Sequence, residues 1–154
     1  MPTPAITLRS MQPADIDRVL AIAASLPTAP HWPRQTYQNA LDPSSHPPRI
    51  ALVAQAGSDI LGFAIVSLLP PEAELESIAV AQGAQRQGIG SRLLQAVIAT
   101  ASSAGATALL LEIRVSNIPA AVLYLRSGFR ETGRRPSYYA DPKEDAILMM
   151  RTLP

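Results

Sequence analysis

Fifteen prolines in 154 residues decide where this chain can and cannot form regular structure. They fall in clusters: Pro27, Pro30 and Pro33, then Pro43, Pro47 and Pro48, then Pro70 and Pro71. Proline has no amide proton to give and its ring fixes φ, so none of these clusters can lie inside a helix or a central strand. No segment between them is long enough to stand alone. They therefore separate elements, and the expectation is one domain over residues 1–154.

Between the breaks, periodicity assigns the elements. "AITLR" reads as a strand. "PADIDRVLAIAASL" reads as a helix with Pro13 in its first turn and Ile16, Val19, Leu20 and Ala23 on one face. "PRQTYQNAL" is a short second helix. "RIALVAQA" and "ILGFAIVSLL", joined by "GSD", read as a hairpin, and "AELESIAVA" as a further strand. Ile89, Leu93, Leu94, Val97, Ile98 and Ala101 recur at helical spacing up to a cap at Gly105. "TALLLEIRV" is a buried strand, and "SNIPAAVLYLRSG" a helix with Pro119 in its first turn and Gly128 as its stop. "FRETGRR" and "EDAILMMRTL" are two closing strands, with Tyr138 and Tyr139 between them. The order β-α-α-β-β-β-α-β-α-β-β implies an α/β protein with a mixed, mostly antiparallel central sheet flanked by helices.

Composition excludes several functions. The net charge of +1 gives no reason to expect nucleic acid. No cysteine means no disulfide, no thiolate nucleophile and no cysteine zinc site, which fits a reducing compartment. His31 and His46 have no metal-ligand spacing, so no metal is expected. "MPTPAITLRS" carries no secretory pattern, and "ILGFAIVSLL" is about half of what spans a bilayer. The expectation is a soluble cytoplasmic protein without a membrane partner.

The sharpest functional signal is "QRQGIG", Gln85 to Gly90, between a strand and a helix. Such a turn presents free amides at the positive end of a helix dipole, where phosphate oxygens bind. A P-loop needs a Lys and a Ser/Thr where Ile89 and Gly90 stand. A dinucleotide fingerprint needs a small third residue where Leu93 stands.

The stretch matches instead the Q/R-x-x-G-x-G/A loop of the GNAT superfamily of N-acetyltransferases. With "ELESIAV", "LEIRVSNIPAAVLYLRSGF" and "EDAILMM", the chain resembles the RimI-type ribosomal-protein-alanine acetyltransferases over most of its length. It departs at "AQGAQ", where an Asp-Pro and an aromatic commonly precede the loop. The resemblance implies acetyl-CoA as co-substrate. It puts Ile78, Ala79 and Val80 along the pantetheine arm through their backbones. It puts Arg86, Gln87, Gly88, Ile89, Gly90 and Ser91 around the pyrophosphate, and Asn117 beside the cofactor. A helix cap is an equal reading of Asn117.

Acetyl transfer to an amine calls for a base and a proton donor. In "TALLLEIRV", Leu110, Glu112 and Arg114 share one face. A carboxylate within so apolar a strand is partly desolvated, which strengthens it as a base; an ion pair with an arginine is the structural alternative. The resemblance makes Glu112 the proton acceptor and Tyr124 the donor. A tyrosine, with a pKa of about 10, enters the reaction protonated beside a thiol of about 8.5. Glu76 is a second candidate base, one alternation before Ile78. Tyr138 and Tyr139 either lid a peptide entrance or sit in an exposed hairpin loop. Arg126, Arg130, Arg134 and Arg135 make the C-terminal third locally basic. The acceptor implied by the resemblance is a protein N-terminal α-amine, that of an alanine on a small-subunit ribosomal protein. A lysine, a small-molecule amine, or a CoA-binding regulatory role without turnover remain open.

Overall fold

The computed structural model describes residues 4–154, so the first three residues of the N-terminal segment read above lie outside it. Among the described residues the strands are β1 (Ile6–Ser10), β2 (Arg49–Ala56), β3 (Asp59–Leu69), β4 (Glu72–Val80), β5 (Ala108–Arg114), β6 (Arg130–Ala140) and β7 (Lys143–Thr152). The helices are α1 (Ile16–Ala24), α2 (Arg34–Leu41), α3 (Ile89–Ser103) and α4 (Ile118–Arg126). The element order is the one read from the sequence, and all three proline clusters fall between elements. The strands form one sheet in the order β1-β2-β3-β4-β5-β7-β6. Every neighbouring pair is antiparallel except β4 with β5. No helix among the described residues is long and apolar enough to cross a membrane.

The core follows from the two periodicities. Ile89, Leu93, Leu94, Val97, Ile98 and Ala101 form the buried stripe of α3, and Phe63 to Val66 are buried on both faces of β3. Gly62 marks the tightest approach. A Cβ there would sit 2.9 Å from the Ala79 carbonyl oxygen and 3.3 Å from Leu93 of α3. Its neighbour Phe63 meets Tyr37 of α2 edge-on, with ring centroids 6.0 Å apart. Adjacent strand residues point to opposite faces, so α3 covers one side of the sheet and α2 the other.

Two features position the site. First, β4 and β5 pair for three rungs only, ending at Glu74–Leu110. Beyond that rung the strands part, and the facing backbone edges of β4 and β5 are left open. Second, β4 is bulged where Ile65 pairs with Ser77 but Val66 pairs with Leu75, so Glu76 is the extra residue. The bulge breaks the alternation expected from the sequence. Ile78 follows Ala64 on the α3 face, whereas Glu76 ion-pairs with Arg49, which lies in register with Ser67 on the α2 face.

One expectation about the C-terminal region is corrected. Tyr138 and Tyr139 lie within β6 and not in a loop after it. Pro136 hid the continuation. It is tolerated because β6 is the outermost strand, with a register shift between Arg135 and Tyr139. The Ser137 amide turns to the Asp145 carboxylate at 2.8 Å and satisfies itself there.

Candidate active site

The parting of β4 and β5 opens a cleft of about 860 Å³. One wall is β4 from Leu75 to Val80 with the following loop and the start of α3; the other is β5 from Leu111 to Arg114 with α4. Ile78, Ala79, Val80, Arg86, Gly88, Ile89, Gly90, Ser91 and Asn117 all line it, as do Glu112 and Tyr124. Gln87 is exposed and does not. Gln85 lines the cleft in its place, its side-chain amide donating to the Val80 carbonyl at 3.2 Å.

The loop is built for backbone recognition. Arg86 and Gly88 both adopt positive φ, 66° and 76°, and Gly88 caps α3. The first intrahelical bond runs from Arg92 N–H to the Gly88 carbonyl, and no backbone bond among the described residues uses the amides of residues 86–91. These free donors lie at the positive end of a 15-residue helix. Across the cleft, Asn117 caps α4 by accepting from the Ala120 amide at 3.3 Å, which leaves its own amide donor for a ligand. The Ser77 hydroxyl is buried in the cleft wall without a partner among the described residues. Free amides, an orphaned hydroxyl and open strand edges fit a long, phosphate-bearing ligand with amide groups along its length.

Several titratable groups line the cleft or border it. Tyr124 is 4% exposed and packs edge-on against Phe129 at 5.5 Å between centroids. Burial pushes its hydroxyl well above the ordinary tyrosine range, so it stays protonated. Glu112 is 21% exposed at its side chain, and its nearest cation is Arg135 of β6 at 3.7 Å. That pair exists but is longer than a hydrogen bond, so Arg135 attracts the carboxylate by charge alone. The Tyr138 hydroxyl is raised chiefly by hydrogen bonding to Glu112, and Tyr139 by burial and then by the charge of Glu112. Arg114 stacks on the Tyr139 ring at 4.3 Å and pairs with Glu144 at 3.2 Å. Both tyrosines thus border the site, held by an arginine each. Glu76 also lines the cleft, but its carboxylate is occupied by Arg49 at 2.8 Å.

A second, smaller pocket of about 240 Å³ opens on the α2 face and shares Glu112 with the cleft. Its walls include Glu72, Glu74 and Arg135, with Ser67 opposite Glu74 in the ladder. Sequence reading missed Glu74 and Ser67. Glu72, Glu74 and Glu76 at alternate positions of one strand were the available signal.

Known proteins resemble this chain in sequence and in fold. The profile of the acetyltransferase (GNAT) family matches residues 17–129. The N-alpha-acetyltransferase RimI of Mycobacterium tuberculosis (strain ATCC 25618 / H37Rv) is 32% identical over 155 residues, covering 97% of this chain and 94% of that protein. The ribosomal protein bS18-alanine N-acetyltransferase of Escherichia coli (strain K12) is 44% identical over 89 residues, 56% of this chain and 60% of the other. The crystal structure of the ribosomal-protein-S18-alanine N-acetyltransferase from Escherichia coli superimposes with a TM-score of 0.84 at 30% identity, covering 97% of this chain and 94% of that one.

Proposed function

Since the chain belongs to the acetyltransferase (GNAT) family and is an acetyl-CoA-dependent N-acetyltransferase, we propose that it acetylates a protein N-terminal α-amine, that of an alanine on a small-subunit ribosomal protein. The observation that carries this reading is the meeting of two pockets at one carboxylate. The cleft offers free amides to a cofactor, the smaller pocket opens beside it on the α2 face, and Glu112 belongs to both. The relatives named as bS18-alanine and N-alpha acetyltransferases favour the same acceptor class.

In this reading the amides of residues 86–91 and the Arg86 side chain hold the pyrophosphate, and the open edge of β4 from Ile78 to Val80 pairs with the pantetheine arm. Acetyl-CoA supplies an acetyl group activated as a thioester. Glu112 takes the proton that the acceptor's ammonium must lose before its nitrogen can bond to the acetyl carbon. As the carbon–sulfur bond breaks, the Tyr124 hydroxyl donates a hydrogen bond to the departing sulfur and then its proton, and the second proton lost by the acylated nitrogen restores the hydroxyl. Its raised pKa keeps the proton in place but makes it a weaker acid, so transfer comes late, when charge on sulfur is largest.

The α-amine is the acceptor best matched to this machinery. Its pKa is about 7.7–8.0 against about 10.4 for lysine, so at neutral pH it is already partly neutral. A single partly buried carboxylate suits it. The test is mass spectrometry on a peptide carrying a free N-terminal alanine and an internal lysine. Acetylation at the α-amine is the expected result. Modification mainly at the lysine, or turnover only with a polyamine or similar small amine, overturns the acceptor assignment.

A further inference from the structure

We propose that Arg49 is a positioning residue for acetyl transfer: through its ion pair with Glu76 it clips the β4 bulge in place and so fixes the cleft wall that faces Glu112. This rests on the reading of the cleft as the place of transfer with Glu112 as its base.

The bulge stands where the cleft begins. The last rung between β4 and β5 is Glu74–Leu110. Two residues further on, β4 carries the extra residue Glu76 and β5 carries Glu112, so bulge and base stand at the same level on the two sides of the gap. A bulge bends its strand and increases the local twist. Here β4 leaves β5 while it stays paired with β3, through Ser77–Ile65 and Ile78–Ala64. The extra residue has no partner opposite it in β3, so the ladder does not fix it. Leu75, Glu76 and Ser77 all line the cleft, and a shift of the bulge moves them together.

Arg49 supplies what the ladder lacks. It belongs to β2, two strands away from β4. Arg49 is in register with Ser67 of β3, and Ser67 with Glu74 of β4. Neighbouring strands lie about 4.8 Å apart, so the two side chains close a backbone gap of roughly 10 Å across the face of β3. An arginine and a glutamate together span that distance, and Ser67, a small residue in register between them, leaves them room. The guanidinium Nε donates to Glu76 Oε1 at 2.8 Å. The side chains are 20% and 22% exposed, so the pair is less screened by salt than one on the open surface. The ion pair thus ties the one residue that the ladder leaves loose to a strand on the far side of β3. It acts on the reaction through the wall it holds, since a cleft whose two lips shift apart misplaces the reacting groups.

The experiment compares the wild type with Arg49→Met, Arg49→Lys, Glu76→Gln and the exchanged pair Arg49→Glu with Glu76→Arg, and runs Glu112→Gln alongside. Turnover is measured on a peptide with a free N-terminal alanine, and kcat is referred to the fraction of protein that binds acetyl-CoA by calorimetry, so unfolded protein does not count. Arg49→Met should lower kcat about tenfold or more, toward the roughly 10²-fold that a 1 Å misplacement costs, with acetyl-CoA affinity unchanged. Arg49→Lys and the exchanged pair should recover most of that loss. Glu76→Gln keeps an acceptor for the Nε proton and should lose less. Combined with Arg49→Met it should cost nothing further, because the two side chains act as one unit. Amide hydrogen exchange, which needs no acceptor, should quicken at Leu75 to Ile78 in Arg49→Met and stay unchanged in β6 and β7. Wild-type kcat per binding molecule and wild-type exchange in Arg49→Met overturn the clip, as does a fall in melting temperature with kcat unmoved. A Glu76→Gln loss as deep as that of Glu112→Gln, with Arg49→Met near normal, also overturns it and makes Glu76 a base. Normal turnover in Glu112→Gln overturns the base reading alone, and the Arg49 series then still decides the clip.

Discussion

The two sides of the site are made from different materials. The proposed cofactor side, from β4 through the loop to α3, offers backbone: free amides, an open strand edge and two residues at positive φ. The proposed acceptor side offers side chains, drawn from β3, β4, β5 and β6, whose charges are only loosely paired. A backbone site depends on φ and ψ and is broken by changes of conformation or by an added Cβ. A side-chain site depends on charge and is broken by isosteric neutralisation. Variants should therefore sort into two classes, one that loses acetyl-CoA affinity and one that loses turnover or acceptor preference.

The largest effects should come from Glu112→Gln and Tyr124→Phe. Each should lower turnover by about 10²–10⁴, the range for a lost base or acid, with acetyl-CoA affinity by calorimetry unchanged. The pH profile separates them. A tyrosine raised above its ordinary value holds its proton past pH 10, so no alkaline fall due to Tyr124 should appear below that pH. Stability linked to this group is fully present below about pH 10 and is lost as pH rises through the higher folded pKa. A drop in cofactor affinity with Glu112→Gln would erase the distinction between the two sides.

The next effect is on the backbone side. A Cβ at Gly90 would lie 3.7 Å from Leu123 and 3.8 Å from Val80, so the protein itself leaves room for one. Gly90→Val should therefore stay folded and weaken acetyl-CoA binding by at least tenfold, about 1.4 kcal/mol, because the added atoms occupy the approach of the phosphates. Gly88→Ala behaves differently. Nothing crowds its Cβ, but a φ of 76° costs a non-glycine residue about 1–2 kcal/mol, which a melting curve reads directly. Unchanged affinity in Gly90→Val removes the phosphate assignment of the loop.

The same division explains what the sequence made legible. The loop is contiguous, so Gln85 to Gly90 could be read as a unit, and the α3 stripe and element order followed from periodicity. The acceptor side is not contiguous. Ser67, Glu74, Glu112 and Arg135 meet because β4 stands between β3 and β5, and β7 brings β6 within reach, an arrangement no local pattern encodes. The bulge at Glu76 moved that residue to the other face from Ile78, against strict alternation. Pro136 concealed the length of β6, and with it the approach of Tyr138 and Tyr139 to Glu112. Asn117 proved to be a cap and a cleft residue together, because its carbonyl oxygen and its amide can serve two partners.

The smallest effect should come from Arg135, and its sign is informative. Arg135 faces Glu112 at 3.7 Å with side chains 56% and 21% exposed, a geometry worth roughly 0.2–1 kcal/mol after solvent screening. Arg135→Gln removes the one lining cation, among the described residues, from a pocket of three carboxylates. The pocket becomes more negative, so KM for a cationic peptide should fall by roughly two- to fivefold at low salt, with kcat little altered. At high salt the difference should fade, because both charges are in reach of counterions. An opposite outcome, with kcat falling as far as in Glu112→Gln and KM unmoved, would mean that Arg135 fixes the carboxylate in a rigid constellation. The acceptor side would then be as conformationally determined as the cofactor side, and the contrast between them would rest on chemistry alone.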